Sequence, residues 1–83
     1  MDSHQKVRTI LQDHGRLARD VESLDDDADL YRAGMTSHAS VNVMLALEDE
    51  FGVEFPDEML QRSSFQSIAV IASAVAKLTA KAA

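Results

Sequence analysis

The sequence contains no cysteine and no tryptophan, and Pro56 is its single proline. Without cysteine there is neither a disulfide framework nor a cysteine-ligated metal site to hold a small fold together. Long apolar runs are missing too. No stretch approaches the roughly 18 apolar residues of a membrane span, and the opening segment from Met1 to Ile10 is polar and charged where a secretory signal needs a continuous apolar run. A cytoplasmic protein with no membrane association is the expectation. Basic residues are scarce where they would matter for nucleic acid: from Glu22 to Glu58 there are eleven acids against one base, Arg32. A phosphate backbone is repelled by such a segment, which argues against nucleic acid and for basic protein surfaces as partners. Beyond Glu58 the sequence has three bases, Arg62, Lys77 and Lys81, and no acid.

What the chain does have is aliphatic residues at helical spacing. Its 83 residues, 46% of them apolar, make a single domain spanning 1–83, and a chain of this size buries about 60% of its unfolded surface. Ser3 is placed to cap a first helix in which Val7, Ile10 and Leu11 recur, ending around His14 and Gly15. A second helix begins at Thr36 or Ser37, either of which can cap it, and runs to Phe51 before Gly52 ends it. Between the two lies a stretch of about twenty residues, long for a compact domain, that Leu17, Val21, Leu24, Leu30 and Tyr31 can pin to the core. Pro56 and Asp57 open a short third helix carrying Met59 and Leu60, with Ser63 and Ser64 as its exit. Ser67 caps a last helix whose Ile68, Ile71, Ala72, Val75 and Leu78 follow the i, i+3, i+4, i+7 rule. The expected fold is all-α: a small four-helix bundle with a long loop between helices 1 and 2. No strand signal, internal repeat or low-complexity tract beyond the Ala-rich tail is evident.

Enzyme chemistry finds little support. His4, His14 and His38 have no metal-ligand spacing, so they read as structural and no metal site is expected. The run from Asp25 to Asp29 invites comparison with a calcium loop, but Leu30 stands at the sixth position and Thr36 at the twelfth, where Gly and Glu are needed. It reads as a solvated acidic loop. Ser37 and His38 are adjacent, and neighbours on a helix point about 100° apart, so they form no dyad.

The segment from Asp29 to Val41 is different: a loop with Gly34 turns into the N-terminus of a helix at Ser37, where free backbone amides and the positive end of the helix dipole lie beside a hydroxyl. Such a serine can hold a phosphate, although most helix-capping serines are only caps. Leu30-Tyr31, Gly34, Thr36-Ser37-His38, the apolar helix from Val41 to Leu47, Glu48-Asp49-Glu50-Phe51-Gly52 and Pro56-Asp57-Glu58 follow one another in the order and spacing of the acyl carrier proteins, a family this chain resembles over nearly its whole length. Two positions depart from the family pattern. Thr36 stands for its Asp and His38 for its Leu, and the helix from Ser37 to Leu47 carries no acid. In its Gly-Met-Thr-Ser-His-Ala-Ser segment the chain is most similar to the stand-alone aminoacyl carrier proteins.

The resemblance implies a non-enzymatic phosphoprotein carrier. A holo-carrier-protein synthase, the phosphopantetheinyl transferase, would attach 4′-phosphopantetheine to Ser37, and the arm's thiol would hold a thioester. The subfamily implies a small amino acid as cargo, loaded by an amino acid:carrier protein ligase similar to the catalytic core of seryl-tRNA synthetase, on a monomeric carrier. A fatty-acid or polyketide carrier is the alternative and would need a cavity that Met44, Phe55 and Met59 could line. An unmodified helical adaptor is a second. Turning the second helix by about 100° per residue puts Val43, Met44, Leu47 and Phe51 toward the core, with Ser40 at the edge. The opposite arc holds His38, Asn42, Glu48 and Asp49 around one apolar residue, Leu45, and is the expected partner-recognition face, with Leu45 matching an apolar anchor of the family.

Overall fold

The computed structural model describes residues 3–18 and 20–82. Three α-helices carry the fold: α1 (Ser3–His14), α2 (Ser37–Phe51) and α3 (Ile68–Ala82). Their apolar stripes meet in one core. Val7, Ile10 and Leu11 of α1, Ala39, Val43 and Leu47 of α2, and Ile68, Ile71, Ala72, Val75 and Leu78 of α3 are all buried. Burial of these stripes, rather than helix propensity, holds helices of this length in place. The side chain of Lys81 lies outside the described residues.

Several helix termini have a local cause. Ser3 is the first residue of α1 rather than its cap. The Gly15 amide donates to Leu11 O at 2.8 Å, after which Arg16 takes a positive φ of 52° and turns the chain away. Gly52 closes α2 in the left-handed conformation, φ 63° and ψ 39°. At the start of α3 the Ser67 hydroxyl accepts the Val70 amide at 3.1 Å, as a capping serine does.

The long α1–α2 connection is pinned as its apolar residues foretell. Val21, Leu24 and Leu30 are buried, and Leu17 and Tyr31 are packed against the core. Backbone bonds tie it to α3 and to the segment just before it as well: Ala69 N donates to Asp26 O and Leu30 N to Gln66 O, both at 2.8 Å. From α1, Arg8 reaches across to Val21 O at 2.7 Å and to the Asp26 carboxylate at 2.8 Å.

The short third α-helix is not formed. Where it was expected the chain makes two 3-10 turns, Asp57–Met59 and Arg62–Phe65, so the described residues hold three α-helices rather than four. The break between the turns is conformational: Leu60 leaves helical geometry at ψ 64°, and Gln61 is extended at φ −139°, ψ 160°. A segment this short does not offset the cost of an α-helical nucleus, and 3-10 geometry serves in its place. Its packing differs accordingly. Phe65 is buried against Phe55 with ring centroids 5.4 Å apart, while Leu60 stays exposed.

Candidate functional site

The site begins with the turn before α2. The Asp29 carboxylate accepts the Tyr31 amide at 3.0 Å, and Met35 N donates back to Leu30 O at 3.0 Å, which coils residues 29–35 into a tight lead-in. Gly34 is required there. It holds φ at 117°, and a Cβ would sit 2.9 Å from Ala18 N, so only glycine lets the two loop segments approach.

Thr36 and Ser37 were equal candidates for the cap, and the backbone decides between them. Thr36 is extended, φ −87° and ψ 166°, and its Oγ1 accepts the Ala39 amide at 3.0 Å, while its carbonyl takes the Ser40 amide at 2.9 Å. Ser37 is therefore the first helical residue. It is exposed, and its hydroxyl makes no hydrogen bond to any described residue. The amides of Ser37 and His38 likewise have no partner among the described residues. No acid stands in the first turn of α2 to offset the positive end of the helix dipole. Ser40, one turn on, is already engaged: its hydroxyl donates to Ser37 O at 2.7 Å.

Beside Ser37 runs an open groove of about 430 Å³ between α2 and the Arg62–Phe65 turn, walled by Tyr31, Val41, Met44, Leu60 and Arg62. The acyl-chain alternative expected Met44, Phe55 and Met59 to share one cavity. Only Met44 borders this groove; Phe55 is 4% exposed in the core, and Met59 borders a separate cleft with Ser73 and Lys77. Val41, half exposed, is a groove residue that the helical pattern alone did not single out.

The expected recognition face divides in two. Leu45 is 53% exposed and borders a depression between α1 and α2 together with Asn42 and Asp49. His38 is exposed at the start of the helix. Glu48 is half-buried and turned to a structural task, accepting the Phe55 amide at 2.8 Å across the Gly52 turn. Nothing in the sequence signals that bond, because seven residues and a chain reversal separate its ends.

An exposed hydroxyl with no bond among the described residues, beside helix-terminal amides that also lack a partner there, suits the attachment of a phosphodiester. Residues 5–75 match the family model described as the phosphopantetheine attachment site. The chain belongs to this phosphopantetheine-attachment family. It is 48% identical over 69 residues, 83% of each chain, to the aminoacyl carrier protein of Agrobacterium fabrum. Two similar crystal structures are of an Agrobacterium tumefaciens carrier protein in complex with an engineered Bradyrhizobium japonicum glycine:[carrier protein] ligase. With ATP the match has a TM-score of 0.88 at 43% identity, covering 92% of this chain and 99% of that one. With AMP it has a TM-score of 0.86 at 45% identity, covering 88% and 97%. A solution structure from Agrobacterium tumefaciens also matches, with a TM-score of 0.73 at 43% identity over 96% and 99% of the two chains.

Members of the phosphopantetheine-attachment family are carriers, not catalysts: the cofactor brings the thiol, and the protein supplies attachment and recognition. No group of His, Asp or Glu suited to a metal ion occurs among the described residues, and none of the described helices is long and apolar enough to cross a membrane.

Proposed function

We propose that Ser37 bears the 4′-phosphopantetheine of this carrier and that the cargo is a small amino acid. The observation that carries the attachment point is the division of labour at the start of α2, where Thr36 does the capping and Ser37 is left exposed and unbonded. When bound, the cofactor supplies a terminal thiol that holds acyl groups as thioesters. The protein's own part is to present the serine on a rigid helix end and to offer partners a surface to read. Ser37 needs no activation from within, because the holo-carrier-protein synthase can bring base and metal.

The amino acid cargo is supported by the identity to an aminoacyl carrier protein and by the likeness to a carrier bound to a glycine:[carrier protein] ligase. The loading enzyme is then an amino acid:carrier protein ligase resembling the core of seryl-tRNA synthetase. Leu45 is its apolar contact, with Asn42 and Asp49 as the polar rim and His38 nearer the arm. Glu48 acts behind that face, holding the chain reversal that follows α2. The carrier works as a cytoplasmic monomer.

Incubating the holo protein with a panel of amino acids, ATP and such a ligase, then reading the thioester by mass spectrometry, tests the cargo. Glycine or another small amino acid is the expected product. Loading by fatty acyl groups alone would overturn the aminoacyl reading.

A further inference from the structure

Arg62 is an arginine in an acidic protein that pairs with no carboxylate among the described residues, whereas Lys6 takes Glu50 and Arg8 takes Asp26. Instead it lies over an aromatic face. Its guanidinium carbon is 3.8 Å from the centroid of the Tyr31 ring. The contact is fastened at both ends, because the Tyr31 hydroxyl donates to the Arg62 carbonyl at 2.9 Å and the Tyr31 amide is held by Asp29. Phe65, in the same 3-10 turn as Arg62, is buried and anchors that turn to the core. The guanidinium thus rests against Tyr31 on the wall of the groove that Ser37 also lines.

We propose that Arg62, held on Tyr31, is a positioning residue for the cofactor arm and pairs with the phosphodiester once it is attached to Ser37. This rests on the reading of Ser37 as the attachment point. A planar guanidinium presents a fork of N–H donors that matches two phosphate oxygens, and stacking leaves those in-plane donors free. The phosphodiester carries one negative charge and introduces it beside the one groove wall that offers a preset cation. Lysine at this position would retain the charge but not the stacked fork.

The test compares apo and holo wild type with holo Arg62→Gln and Arg62→Lys, each checked by intact mass for a single arm. The Arg62 Nε–H signal is expected to move between apo and holo wild type. The 31P line of holo wild type should be broad, and that of Arg62→Gln narrower and shifted toward the free cofactor diester, with Arg62→Lys in between. Added salt should narrow the wild-type line and leave Arg62→Gln unchanged, because an exposed pair is screened. The apo–holo comparison needs no substitution, so it stands even where a variant folds poorly. A protein that gains the arm yet shows an unmoved Arg62 signal and the same 31P line in wild type and Arg62→Gln would overturn this inference alone. A protein that never gains the arm overturns the attachment reading with it.

Discussion

Thr36 Oγ1 accepts the Ala39 amide at 3.0 Å, and that bond frees the neighbouring Ser37 hydroxyl from capping α2. The two hydroxyls, adjacent in sequence, therefore differ in what their removal does. Thr36→Ala should lower stability by about 1 kcal/mol, the usual worth of an N-cap. Ser37→Ala should change it by no more than about 0.5 kcal/mol, as for an exposed residue without a bond. Urea denaturation of the apo proteins measures both, and equal losses would mean that Ser37 shares the cap.

Leu45→Asp should leave helicity and melting nearly unchanged, because the side chain is more than half exposed. Loading by the ligase should slow by an amount worth on the order of 1–3 kcal/mol, as when an interface anchor is lost. Stopped time courses of thioester formation provide the comparison. An unchanged rate would move the recognition face away from the α1–α2 depression.

Arg8 fastens the long loop to α1 through Val21 O and Asp26. Asp26 is half exposed, so its ion pair contributes little; the bond to Val21 O, beneath a guanidinium side chain only 15% exposed, matters more. Arg8→Met should cost about 1.5–3 kcal/mol, the range for a hydrogen bond from a charged group, and should speed amide exchange in residues 21–26 ahead of the helices. Exchange that accelerates uniformly would show that the loop is held elsewhere.

The three helices were legible because each repeats its apolar residues at helical period, and the end of α2 because Gly52 follows Phe51. The third segment was not. Pro56-Asp57 marks the start of a helical turn without saying whether it will be α or 3-10, and the outcome turned on the extended backbone of Gln61. The choice between Thr36 and Ser37 was likewise open in sequence, since both hydroxyls can cap and only φ and ψ separate them. Ser37 stood out through the surrounding pattern. The groove beside it did not, because Tyr31 and Arg62 meet across thirty-one residues with no periodic signal to join them.

The acids of the middle segment remain mostly unpaired: among the described residues, Asp26 and Glu50 are the only carboxylates in ion pairs with side chains. At a net charge of −6, self-repulsion opposes the compact state. The melting temperature at neutral pH should therefore rise as salt is added from low ionic strength. A flat or falling curve would show that repulsion does not limit stability.

The most direct measurement is the intact mass of the protein made together with a holo-carrier-protein synthase, for wild type, Ser37→Ala and Ser40→Ala. Ser40 is the nearest alternative hydroxyl, but it is bonded to Ser37 O and lies a turn beyond the helix terminus. Wild type and Ser40→Ala should each gain the mass of one phosphopantetheine, and Ser37→Ala should keep the bare polypeptide mass while remaining helical. A modified Ser37→Ala protein, or a wild type inert to every synthase tried, would contradict the assignment of Ser37 as the point where this carrier bears its arm.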